Sequence, residues 1–358
     1  MRLIREVEMT RTINVATIQM EAQPAPTAER LQRAEKLVAE AAGRGAQLVV
    51  LPELFNTGYG YRDDNYDRAE RPDGPTVTWL RQQAAERQIH VAGSLMLLDG
   101  GEIYNALLLF APDGQWWRYD KNYPWGWERG YFRPGRGGTV AKTDLGDLGF
   151  LTCWDTAHPS LWRQYAGQID LLVICSCPPN VTEGHYQFPD GATVDSGDLG
   201  RPGAALKEMG RLLFGEMINQ QTAWLGVPAV NSGGVGHIRT DIPNGLWALI
   251  SFLPWEPKLA RYLSQAGRMQ LACDFVPGCK VVAADGQVLT ELEQSAGESF
   301  TLAEVALAGQ KPRPSRPQPK SLLPQITYWS SDIFLPLSTL STYRRGLRRI
   351  KRSALRKE

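Results

Sequence analysis

The stretch LGFLTCWDTAHPSLWR, Leu148–Arg163, brings an apolar run up to a single cysteine, Cys153, and then turns polar before a second segment opens at Pro159. The run reads as a strand with Cys153 at its tip, and LWRQYA beyond it as a helix. A free cysteine at a strand end is more often core filling than a nucleophile. The choice therefore depends on what the neighbouring strands end in.

Two other apolar or aromatic runs end on a charged side chain: LVVLPE on Glu53 and WWRYDK on Lys121. A thiol needs a base to become a nucleophile, and a carboxylate can be that base. The tetrahedral species that follows needs a cation or N–H donors at its oxygen, which a lysine ammonium supplies. Glu, Lys and Cys at three strand ends are sufficient for acyl transfer.

The surrounding pattern is that of a layered α/β domain. INVATIQM reads as a strand, PAPTAERLQRAEKLVAEAAGRG as a helix with Leu31, Ala34, Leu37 and Ala41 on one face, and AQLVVLPE as the next strand. A helix near TVTWLRQQAAERQ and the strand IHVAGSL follow. Hairpins are expected at APDG, between NALLLF and QWWRYDK, and at ADG within CKVVAADGQVLTEL. Alternating βα units together with hairpins argue against a purely doubly wound sheet.

Three motifs in order, LVVLPELFNTGYG with Glu53, YDKNYPWGWERGYFRPG with Lys121, and LGFLTCWDTAHPSLWR with Cys153, resemble the nitrilase or carbon-nitrogen hydrolase superfamily over residues 12–308. The resemblance implies a four-layer αββα sandwich in which Glu53 is the general base, Lys121 stabilises the tetrahedral species and Cys153 attacks a carbonyl or nitrile carbon. It further implies that Glu128 orients substrate or water and that the backbone N–H of Trp154 is an oxyanion donor. Lys121 to Trp125 and the run Cys153 to Arg163 look like the aliphatic amidases. The Cys153-Trp154 and Glu128-Arg129 pairs look like the true nitrilases, although Asp155 stands where nitrilases carry Glu and Ser160 where Glu often follows the proline. An amide substrate is expected first, a nitrile or an N-carbamoyl amine second.

Tyr59, Trp125, Trp127 and Trp154 read as the lining of an apolar pocket or, equally, as core aromatics. His158 is read as touching substrate or as fixing the loop before Pro159. GVPAVNSGGVG resembles the family strand on the far side of the pocket, with Asn231 near its end. Cys175 and Cys177 alternate on one strand and read as core. The spacings of the remaining cysteines are not those of a zinc site, so neither metal nor cofactor is expected.

A net charge of +1 on 358 residues gives no reason to expect nucleic acid as a partner. The N-terminus has no apolar leader and no run reaches the roughly 20 residues of a membrane span, so a cytoplasmic, reduced protein is expected. Two long stretches, PPNVTEGHYQFPDGATVDSGDLGRPG and HIRTDIPNGLWALISFLPWEPKLARYLSQ, read as loop insertions that close the pocket, with His185 and His237 on their solvated surface. KPRPSRPQPK begins an extended linker over 309–323. Residues 324–358 form a basic extension with Leu347, Ile350, Ala354 and Leu355 at helical spacing. For that tail, wrapping of a neighbouring subunit in a homo-oligomer ranks first, disorder second and contact with an anionic membrane third. Acyl transfer and a binding scaffold docking through the tail are the competing functions.

Overall fold

A computed structural model describes residues 11–200 and 209–354; residues 1–10, 201–208 (which include the end of the first insertion) and 355–358, Leu355 among them, lie outside the described residues, as do the side chains of Ser353 and Ala354. Two six-stranded sheets lie face to face. The first runs β16 (Ser299–Leu307), β1 (Arg11–Glu21), β2 (Leu48–Val50), β3 (His90–Asp99), β4 (Glu102–Phe110) and β5 (Trp116–Asp120). The second runs β6 (Val140–Thr143), β7 (Gly146–Thr152), β8 (Leu171–Cys175), β11 (Ala229–Val235), β14 (Lys280–Val282) and β15 (Val288–Glu291). The end of β1 pairs with β11, Gln19 opposite Gly233, and joins the two.

Side-chain alternation along these strands builds the layers. Val15, Val50, Leu107, Phe150, Val173 and Val230 fill the space between the sheets. The opposite face of the first sheet takes the helices Thr27–Gly43 and Pro75–Arg87, through Ala34, Val38, Leu80 and Ala84. The opposite face of the second takes Pro159–Tyr165 and Ile218–Leu225. This is the αββα sandwich. Cys175, the last residue of β8, points between the sheets and Cys177 lies on the outer side, both buried; two residues apart on one strand they would share a face, and they differ because the chain leaves β8 at Cys175.

The two insertions are not loops. They contribute β9 (His185–Gln187), β10 (Thr193–Asp195), β12 (His237–Asp241) and, with β13 (Gln270–Asp274), a small sheet ordered β10-β9-β13-β12. His185 and His237 stand on its exposed face, each beside a cross-strand aspartate, Asp195 and Asp274. After β16 the chain runs extended over the second layer of helices, where Gln318 bonds Pro159 O and Gln221, and Trp224 donates to Arg316 O. It then turns helical from Gln325 to Ala354 and packs on its own domain, with Arg345 and Arg349 beside Asp63 and Asp67.

Candidate active site

Glu53, Lys121 and Cys153 each follow the last residues of β2, β5 and β7, on one edge of the sandwich. Backbone torsion marks two of the three sites. Cys153 has φ of 48° and Leu54, next to Glu53, has φ of 51°, left-handed values that cost a non-glycine residue on the order of 1 kcal/mol or more. Strain of this kind turns the thiol out of the strand direction.

The charged side chains form one buried chain of hydrogen bonds. Lys121 Nζ donates to Glu53 Oε1 at 2.8 Å and to Glu128 Oε2 at 2.7 Å. Glu53 Oε1 also accepts from Asn105 Nδ2 at 2.7 Å, and its Oε2 from the Cys177 backbone N–H at 3.0 Å. Asn105 is fixed in turn by Ser94 Oγ at 2.8 Å. Glu128 accepts from Tyr59 O–H at 2.6 Å and from the Trp125 N–H at 2.8 Å. Every one of these groups is buried.

Burial governs the protonation states. It pushes the Glu53 carboxyl up to about 7, against the pull of Lys121 and with a further push from Glu128. Burial alone would depress the Lys121 ammonium, but Glu128 and then Glu53 reverse this and hold it well above its ordinary range. Burial, followed by the Glu53 charge, raises the Cys153 thiol well above the ordinary value, with Lys121 opposing. The resting thiol is therefore protonated and needs a base; Glu53, half ionised near neutrality, is matched to that work.

Asp155 clamps the lysine loop to the cysteine loop. Its carboxylate accepts from Tyr119 O–H at 2.7 Å, Tyr123 N–H at 2.7 Å, Thr152 N–H at 3.2 Å and Asn122 N–H at 3.3 Å. Burial raises its carboxyl to about 6. Sequence reasoning assigned Asp155 no such part, and missed Asn105 and the Cys177 amide as well. The one signal was a polar residue, Asn105, inside the apolar strand IYNALLLF.

A cavity of about 30 Å³ opens over Cys153, lined by Tyr59, Trp125, Trp154, Leu213, Phe214 and Val276 among others, with Asn180 and Thr182 its polar members. Trp125 Nε1 is buried and has no hydrogen-bond partner among the described residues. Trp127 lines a second cavity, of about 50 Å³, which Trp125 shares. Two expected pocket residues stand elsewhere. His158 is stacked on Tyr123 with ring centres 3.5 Å apart and does not line this cavity. Asn231 is likewise outside it: Oδ1 accepts from Ser176 Oγ at 2.8 Å and Nδ2 donates to Gly278 O, so both ends of the amide are used within the fold.

Among the described residues no group of three or more His, Cys, Asp or Glu is placed to hold a metal ion, and no helix is long and apolar enough to cross a membrane.

Comparison with known proteins agrees with this architecture. The chain is 35% identical over 159 residues to a nitrilase of Pyrococcus abyssi, covering 43% of this chain and 60% of that protein. It is 33% identical over 183 residues to omega-amidase NIT2 of Danio rerio, covering 47% and 66%. The matched stretches thus span about two thirds or less of these relatives. In fold it resembles Nit3 of Saccharomyces cerevisiae, a nitrilase-superfamily member, with TM-score 0.60 at 20% identity, covering 83% of this chain and 91% of that one. An amidase from Nesterenkonia sp. AN1, with acrylamide added at its active-site cysteine, gives TM-score 0.58 at 19% identity over 81% and 92%. The carbon-nitrogen hydrolase family profile matches residues 14–311, and the chain belongs to that family.

Proposed function

We propose that the protein hydrolyses the carbon–nitrogen bond of a small amide, giving a carboxylic acid and ammonia through a thioester on Cys153. The observation that carries this reading is the buried chain Glu53–Lys121–Glu128 beside a protonated thiol.

In this mechanism Glu53 takes the proton from Cys153 as Sγ attacks the carbonyl carbon. Negative charge gathers on the carbonyl oxygen, where the Lys121 ammonium and the Trp154 backbone N–H stabilise it. Collapse expels ammonia with the proton Glu53 had taken, leaving the thioester. Glu53 then deprotonates water, which displaces Sγ and regenerates the thiol. Glu128 keeps Lys121 charged and in place, through its second oxygen anchored by Tyr59. Trp125 Nε1 is a free donor for the bound molecule.

A nitrile is the second reading, favoured by the apolar lining, because a nitrile has no amide N–H₂ to satisfy. A homo-oligomer is part of the proposal, and the exposed Trp247, Trp329, Ile333 and Leu337 offer it an apolar surface. So is a cytoplasmic location, with which five unpaired cysteines accord. Ammonia release from a panel of aliphatic amides, nitriles and N-carbamoyl amines, compared between wild type and Cys153→Ala, tests the reading.

A further inference from the structure

The C-terminal extension reaches the wall of the catalytic cavity. Trp154, adjacent to Cys153 and lining that cavity, donates its indole Nε1–H to Asp332 Oδ1 at 2.7 Å across 178 residues of sequence. Asp332 is well covered, with a side chain 20% exposed, and burial raises its carboxyl to about 6. One turn earlier, Tyr328 packs its ring 5.8 Å from that of Trp154 and donates its hydroxyl to Ala157 O. On the other side Leu335 lies over Gly126, where a Cβ would meet its Cδ1 at 3.0 Å. Trp154 is thus held on its far edge by a segment that is not part of the sandwich.

We propose that Asp332 is a positioning residue for the hydrolytic site: it fixes the indole of Trp154 as a wall of the cavity and thereby sets which acyl groups reach Cys153. A tryptophan free to change rotamer would alter a cavity of about 30 Å³ by a large fraction of its size. The hydrogen bond to a largely covered acceptor removes that freedom. The extension is then a component of substrate selection, and this inference rests on Cys153 being the nucleophile.

The test uses the full chain and reads alkylation of Cys153 by peptide mass spectrometry, with iodoacetamide as the small probe and iodoacetanilide as the bulky one. Asp332→Ala frees the indole and should change the bulky-to-small rate ratio about tenfold, the discrimination a reshaped apolar pocket typically gives. Asp332→Asn retains an oxygen acceptor for the indole N–H and should stay within about threefold of wild type. Trp154→Phe removes the donor, and adding Asp332→Ala to it should have no further effect on the ratio. An unchanged ratio in Asp332→Ala, with thermal unfolding showing a folded protein, overturns the proposal, as does an Asn variant that behaves like Ala. If Asp332→Ala fails to fold, the comparison of wild type, Asp332→Asn and Trp154→Phe decides: a Trp154→Phe ratio equal to wild type overturns it. Failure of the functional reading looks different: ammonia release from the amide, nitrile and N-carbamoyl panel would then not depend on Cys153, whatever the alkylation ratio.

Discussion

Lys121 Nζ lies 2.8 Å from Glu53 Oε1, and neither side chain is exposed to solvent. A buried pair of this kind is sustained only by further partners, which Glu128, Asn105 and the Cys177 amide supply. Lys121→Met leaves two carboxylates facing each other without a cation, so one must take up a proton. Folding stability should fall by about 3 to 5 kcal/mol, read by denaturant unfolding, and turnover should fall by a factor of about 1,000 or more. Lys121→Arg should not restore it, because a planar fork cannot occupy the place of a point charge between two carboxylates. Full activity in the Arg variant would contradict the geometry.

In the proposed mechanism Glu53 is the group that sets the pH dependence. Its carboxyl is raised to about 7, and the base form is the ionised one. The rate constant kcat/KM should therefore be level above this value and fall about tenfold per pH unit below it. Glu53→Gln, which keeps the shape but cannot accept the thiol proton, should lower turnover by a factor of about 100 to 10,000. A limb near pH 4.5 instead would mean that burial does not control this group.

Asp155→Asn presents an N–H₂ to a cluster of four donors. Turnover should drop and stability fall by about 1 to 3 kcal/mol, since at least one buried donor loses its acceptor. A variant with wild-type stability and activity would show that the clamp between the two loops is dispensable.

His158 makes a distinct prediction about acid. Burial lowers its folded pKa to about 3, whereas the unfolded chain takes up the proton near 6.5. A histidine depressed in this way stabilises the fold at neutral pH, and that contribution is lost as pH falls from about 6.5 towards 3, by about 4 kcal/mol at the end of the window. His158→Phe keeps the stack on Tyr123 and removes the proton site. The difference between the two pH profiles of unfolding isolates the effect; parallel profiles would contradict it.

What could be read from the sequence was what is local. The strands before Glu53 and Cys153 end in short apolar runs and the one before Lys121 is aromatic though broken by Arg118 and Asp120, the hairpins β4–β5 and β14–β15 each carry an Asp-Gly turn, and the helix Thr27–Gly43 shows its buried face in Ala34, Leu37 and Ala41. The small sheet was hidden because its strands are three to five residues long and pair across large separations, Gln187 with Gln270. HIRTD does alternate exposed and buried residues, but five positions cannot announce a partner that far away. Asp332 was invisible for the same reason: its meaning comes from Trp154, 178 residues earlier. For His158 the sequence left two readings open, because its neighbourhood to Cys153 does not fix its direction; in the fold it stacks on Tyr123 and does not line the cavity.

The most direct test of the account is ammonia release by purified wild type and Cys153→Ala across aliphatic amides, nitriles and N-carbamoyl amines, with both proteins shown to be folded. Release by the wild type from an amide, absent in Cys153→Ala, is the predicted result. Equal release by both proteins would contradict a thioester on Cys153 and, with it, the role given to Glu53 and Lys121.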